Sequence, residues 1–186
     1  MLDRRRALGA LAALCASALV ANRAVASLQR AIPLADLVRA SELVVSATPL
    51  DFESRWETQG ERRRIVTTWR VRVDTRLDGD AADAEVLVQT LGGTVGKIGQ
   101  IVDGEASLSR GVPCVLFLGR ETSAARPVVG MAQGHYPLAR RSDGASVLGK
   151  SPRLAELRGS GAVHELPGRT LEQARARVLE ERTRDR

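Results

Sequence analysis

Aromatic side chains are scarce: two Phe, two Trp and one Tyr make up 3% of 186 residues. A surface that stacks nucleobases interleaves aromatics with basic residues along a groove. No such interleaving is present, so nucleic-acid binding is not expected despite a formal net charge of +6. Histidine is rarer still, with only His135 and His164. They stand far apart without a Cys or second His at ligand spacing, whereas a zinc site needs three or four converging ligands. No metal and no cofactor is therefore expected. A Gly-x-Ser-x-Gly elbow is also missing, and serine hydrolysis needs a Ser in register with a His and an acid. The two cysteines are Cys15 and Cys114. No charge-free apolar run reaches the roughly 18 residues that a membrane span needs.

The amino terminus reads as an export signal. Arg4, Arg5 and Arg6 precede an uncharged, alanine-rich stretch from Ala7 to Ala21, and Ala24-Val25-Ala26 has the small-x-small pattern of a cleavage site. Residues 1–26 are thus predicted to be a cleavable signal peptide, with Ser27 as the mature start and no stable membrane anchor after cleavage. The Arg4-Arg5 pair and Arg23 also resemble a twin-arginine leader, although Ala7 stands where an aromatic is usual. Cys15 follows Leu14 rather than a small residue, which argues against lipid attachment. The expected location is periplasmic or secreted. Without the leader's four arginines and one aspartate, 24 basic residues face 21 acidic ones, a net +3. The mature chain retains only Cys114, so it can form no internal disulfide. That cysteine lies within the apolar run Val112-Pro113-Cys114-Val115-Leu116-Phe117-Leu118, where it reads as a small buried hydrophobe rather than a nucleophile.

The mature chain is long enough for one core. Residues 33–40 predict a short helix, since Pro33 suits a first turn and Leu34, Leu37 and Val38 recur on one face. Leu43 to Ala47 reads as a strand, continuing irregularly through Phe52 to Trp56 and bent at Pro49. Residues 57–61 suit a hairpin connection. The strongest strand follows: Ile65, Thr67, Trp69, Val71, Val73, Thr75 and Leu77 define a buried face, and Arg64, Val66, Thr68, Arg70, Arg72, Asp74 and Arg76 a chiefly wet one. After a turn at 77–80, further strands are expected at 85–91, 114–118, 127–131, 136–139 and 146–148. Thr170 and Gln173 form a capping box for a last helix whose apolar stripe is Leu171, Ala174, Val178 and Leu179. The fold class is mainly β: a small antiparallel β-barrel of five to six strands with a short N-terminal helix and a C-terminal helix. An open sandwich is the alternative. The predicted organisation is a signal peptide over 1–26, a β-barrel domain over 27–158, and a flexible joint with an amphipathic helix over 159–186.

Several blocks carry a family resemblance: Ser41-Glu42-Leu43-Val44-Val45, Glu53-Ser54-Arg55-Trp56, Thr67 to Val73, Leu91-Gly92-Gly93-Thr94-Val95-Gly96, Val102-Asp103-Gly104-Glu105-Ala106, Val115-Leu116-Phe117-Leu118 and Val128 to Gly134. Together they resemble a group of uncharacterised bacterial secreted proteins, over roughly residues 33–136. That group is similar in strand order to netrin-like modules and tissue inhibitors of metalloproteinases. The resemblance implies a barrel of the oligonucleotide/oligosaccharide-binding (OB) type. The inhibitors act through a disulfide-held N-terminal Cys, and this mature chain would begin at Ser27.

Gly92, Gly93, Gly96 and Gly99 mark a bent loop rather than a phosphate cradle. A phosphate loop sets four residues between its glycines and a hydroxyl after the lysine; here Gly92 and Gly96 enclose three, and Ile98 follows Lys97. Loops on a rigid scaffold are where function concentrates. Gly92, Gly93, Thr94, Gly96 and Lys97 are accordingly the candidate ligand-binding residues, joined by Gln133 and His135 beside Gly134. The function expected is an exported, non-enzymatic module binding a protein or cell-envelope ligand, a protease-associated or inhibitor-like protein being its narrower form. An exported hydrolase using His135 with an acidic partner is the alternative.

Overall fold

The computed structural model describes residues 29–80 and 83–184. The leader predicted over 1–26 lies outside these residues. In chain order the elements are β1 (Gln29–Arg30), α1 (Leu34–Ala40), β2 (Leu43–Gln59), β3 (Arg62–Arg76), β4 (Glu85–Leu91), β5 (Gly93–Val95), β6 (Ile98–Gln100), β7 (Cys114–Leu118), β8 (Arg126–Pro127), a 3-10 turn (Met131–Gly134), β9 (His135–Arg140), β10 (Ser146–Leu148), β11 (Leu157–Arg158), α2 (Ala162–Glu165) and α3 (Leu171–Arg184). The chain is mainly β. Seven strands form one sheet in the order β10-β9-β7-β2-β3-β4-β8, antiparallel except between β4 and β8.

The backbone of this sheet is the long β2–β3 ribbon, paired from Val45–Arg76 to Gln59–Arg62. Its tip is a tight turn at Gly60, which has a φ of +61°. The predicted alternation along β3 holds from Ile65 to Val71, all buried on one face. It breaks at a bulge opposite Ser46 and Ala47, where an extra residue rotates the chain. Thr75 consequently points to solvent instead of inward, and Leu77 is buried in a different cluster from Val71. Val66, assigned to the wet face, is buried. A second bulge lies between Pro49 and Asp51, beyond Ala47, where the pairing of β2 with β7 ends.

Both faces of β7 and of β2 over residues 43–49 are covered, which explains their apolar character. On one face Val44, Val115 and Phe117 pack with Leu37 and Val38 of α1, Tyr136 of β9, and Ala174 and Val178 of α3. On the other, Val45, Ala47, Cys114, Leu116 and Leu118 pack with Trp69, Val71 and Val88. The capping box forms as predicted: Gln173 N donates to Thr170 Oγ1 at 3.3 Å and Thr170 N donates to Gln173 Oε1 at 3.0 Å. The inner stripe of α3 differs from expectation. Glu181 is buried beside Arg177 and Arg184, while Leu179 is exposed.

Two predicted elements are redrawn. The strand expected over 127–131 is only β8 plus a bridge at Val128, because Gly130 and Met131 adopt φ of 66° and 57° and turn the chain. The glycine loop is itself a small hairpin, β5 with β6. Nor is the main sheet closed by a continuous ladder as a full barrel would be. Beyond β8, Val128 forms an isolated antiparallel bridge with Leu118 of β7. The bonds there are Gly119 N to Pro127 O at 2.9 Å and Val129 N to Phe117 O at 2.8 Å. The segment read as a joint, 159–161, leads into α2, and Gly161 lies against the backbone of Ala31 and Ile32.

Candidate functional site

Directly opposed residues of an antiparallel ribbon share a face. Phe52 with Trp69, and Ser54 with Thr67, are therefore placed together by the register of β2 and β3. Thr90 of β4 extends the row beyond Thr67. At the end of β4 the chain leaves the sheet and folds back over this face. Gly92 N continues the ladder to Ile65 O at 2.8 Å, and its φ of +88° turns the strand out of plane. Gly93, with φ of +132°, then crosses so close that any Cβ would collide with the hydroxyls of Ser54 and Thr67.

The result is a groove of about 340 Å³ between the β5–β6 hairpin and the segment 106–108. One wall is aromatic: Phe52 lies 4.5 Å from Trp69 between ring centroids and remains 56% exposed, whereas Trp69 is 8% exposed. The floor is a hydroxyl relay. Thr67 donates to Gly92 O at 2.7 Å, so the 2.8 Å contact between Ser54 and Thr67 has Ser54 as donor. Thr90 Oγ1 accepts from Trp69 Nε1 at 3.2 Å. Thr94, Ser107 and Arg153 complete the rim. Arg153 is the sole charged lining residue and has no carboxylate partner among the described residues.

Behind the groove, the buried Glu105 carboxylate accepts Leu91 N at 3.0 Å and Ala106 N at 2.8 Å. Burial raises its pKa above the usual carboxylate range, opposed by those two amides. A second depression, of about 350 Å³, contains Asp74, Asp80, Asp83 and Arg175. It has no aromatic wall, and Arg175 lies 3.8 Å from Asp80.

The seven candidate residues fall into three places. Gly92, Gly93 and Thr94 border the groove. Gly96 and Lys97 form the exposed turn between β5 and β6, where Gly96 has a φ of +61°. Gln133 and His135 lie at the junction of the 3-10 turn and β9, outside the groove lining, with His135 opposite Leu116 of β7. Gln133 Oε1 accepts Ile32 N at 2.8 Å, and its Nε2 donates to Arg30 O at 3.2 Å, so it braces the chain entering α1. His135, 2% exposed, sits 2.9 Å from Ser151 Oγ through Nδ1, and burial lowers its pKa to about 4. Cys114 donates to Ala47 O at 3.6 Å, with burial pushing its thiol up to about 12. Such a thiol is a packing group at neutral pH.

Phe52, Ser54, Ser107 and Arg153 were not singled out from the sequence. The pairing of Phe52 with Trp69 follows once the hairpin turn is set at Gly60. Arg153 has no such signal, being nearly a hundred residues from Ser54 in the chain. Among the described residues, no group of three or more His, Cys, Asp or Glu side chains could hold a metal ion, and no helix is long and apolar enough to cross a membrane. No protein-family model matches the chain, and no curated protein is significantly similar to it.

Proposed function

We propose that this chain is an exported, non-enzymatic module of OB-like barrel type that binds a protein or cell-envelope ligand in the groove beside its glycine-rich hairpin. The observation that carries the reading is an exposed aromatic, Phe52, fixed on Trp69 at the mouth of a hydroxyl-lined groove that Gly92, Gly93 and Thr94 border. Binding sites are concave, with apolar walls and a few convergent polar groups. An aromatic left half-exposed on a rigid ribbon offers contact area at little entropic cost.

The barrel reading has its support in connectivity. The strands β7, β2, β3, β4 and β8 run in sequence around the sheet, β4 and β8 are parallel, and the bridge from Val128 to Leu118 returns to the first of them. An OB barrel is a five-stranded, partly open Greek key. The resemblance to a group of secreted bacterial proteins, itself similar in strand order to netrin-like modules and tissue inhibitors of metalloproteinases, is consistent with this order. Inhibition of an envelope protease is the narrower form of the binding reading. Export rests on the leader over 1–26, and N-terminal sequencing of protein from the cell envelope or medium is expected to begin at Ser27.

An exported hydrolase using His135 with an acidic partner is the second reading; its support is the 2.9 Å contact between His135 and Ser151, while no carboxylate bonds His135 among the described residues. Both side chains are buried, at 2% and 5% exposure, so substrate access would require an opening of this region. Affinity capture from envelope extract with the mature protein and with Phe52→Ala separates the two. The binding reading expects a ligand retained by the parent and lost by the variant. Equal retention by both, or ester or peptide turnover abolished by His135→Asn, overturns it.

A further inference from the structure

The groove's chemistry narrows the ligand class, on the footing that the groove is the binding site as proposed above. Main-chain groups along its glycine-corner border are already engaged. Leu91 N is held by Glu105, Gly92 N by Ile65 O, and Gly92 O by the Thr67 hydroxyl. A peptide adding itself as a strand needs a free row of such groups, and the glycine-corner border does not supply one. What faces the open space is side-chain hydroxyl and ring.

The hydrogen-bond capacities of these hydroxyls are set by the relay. Ser54 spends its proton on Thr67, so toward a ligand it offers lone pairs only. Thr90 accepts the indole N–H and keeps its own proton to give. Thr94 and Ser107 on the rim can do both. A groove lined by both acceptor and donor hydroxyls suits a partner whose groups are themselves both, namely sugar hydroxyls. The exposed face of Phe52 provides the flat apolar surface against which the C–H face of a pyranose packs, its other side being occupied by Trp69. Arg153, the one lining charge, adds a forked donor matched to carboxylate or phosphate oxygens. Among the described residues, no acidic one lines the groove to repel an anion.

We infer that the groove bordered by Phe52, Ser54, Thr94, Ser107 and Arg153 binds an anionic sugar unit of an envelope glycan, stacking the ring on Phe52 and pairing its acidic group with Arg153. Calorimetric titration of the mature protein with tetragalacturonate, with maltotetraose bearing a terminal phosphate, and with neutral maltotetraose tests this and separates carboxylate from phosphate as the acidic group. At least one charged oligomer is expected to bind about tenfold or more tightly than the neutral one, a margin of one bidentate contact. Phe52→Ala and Arg153→Ala are each expected to weaken that binding about tenfold or more, and only Arg153→Ala should flatten its dependence on salt. Ile101→Ala, an exposed change outside the groove, should leave it unaltered. Neither charged oligomer binding, the neutral one binding as well, or groove variants behaving as the parent overturns the inference. If the oligomers fail while Phe52-dependent capture from envelope extract persists, the groove binds a ligand of another class. If capture is also independent of Phe52, the binding reading falls with it.

Discussion

Two buried titratable side chains, His135 of β9 and Glu105 in the segment before β7, shift stability with pH in opposite senses. His135 is neutral in the folded protein because burial lowers its pKa from 6.5 to about 4. The unfolded chain therefore takes up a proton between those values that the folded chain refuses. Its contribution is fully present above pH 6.5 and lost as pH falls toward 4, by on the order of 3 kcal/mol for a shift of this size. Glu105 acts in the other sense, since its raised pKa lets the folded state bind a proton more readily as pH falls. Urea midpoints measured from pH 7 to 4 for the parent and His135→Asn isolate the histidine, and the variant is expected to have the smaller decline. Next to it, the Tyr136 hydroxyl is buried without a hydrogen-bond partner among the described residues. Removing an unsatisfied polar group leaves nothing orphaned. Tyr136→Phe should thus be neutral or stabilising by about 1 kcal/mol in the same assay, and a clear loss of stability would reveal a partner for the hydroxyl.

At the scale of elements, the corner between β4 and β5 governs the groove. Gly93 combines a φ of +132° with contact against Ser54 and Thr67, leaving neither the backbone nor the space for a side chain. Gly93→Ala should cost about 2–4 kcal/mol, combining backbone strain with steric displacement. Because the hairpin would have to lift off the hydroxyls, the variant should also lose captured ligand. Unchanged urea midpoint and capture would contradict this account of the corner. Much at this scale was legible in the sequence. The ribbon over Ile65 to Val71, the short first helix and the Thr170–Gln173 cap depend on residues near one another in the chain, where periodicity and capping chemistry act directly. The bulge at Asp74 and the turn at Met131 were not legible. Each is imposed by packing on neighbouring strands, and a single inserted residue reverses every side chain beyond it.

Across the whole molecule, one contact joins three distant segments. Arg182 of α3 donates through Nη2 to Asp78 Oδ2 and to Ser41 O, both at 2.7 Å. The Asp78 side chain is 1% exposed and also paired with Arg76 at 2.8 Å. The clamp holds the last helix to the bend after β3 and to the end of α1. Arg182→Ala should lower stability by about 1–3 kcal/mol, below the value for an entirely orphaned buried charge because Arg76 stays. Amide exchange should show α3 opening more readily in the variant while β2 and β7 remain protected. Equal protection of α3 in both proteins would mean that its apolar face alone secures it.

The candidate residues illustrate which properties are local and which are not. That Gly92 and Gly93 mark a sharp corner, that Cys114 is buried, and that the β3 ribbon has one apolar face all follow from residue type and spacing, since backbone freedom and amphipathic period are properties of short segments. Which side chains meet does not follow from them. Gln133 and His135, adjacent in sequence to glycine like the others, are engaged outside the groove by bonds to Arg30, Ile32 and Ser151. Ser54, Thr90, Ser107 and Arg153 reach one groove only because the β2–β3 ribbon sets the register, the glycine corner folds the chain back over it, and the later segments close around the same core. Those meetings are long-range consequences of burying both faces of one central strand pair, and no short stretch of the chain encodes them.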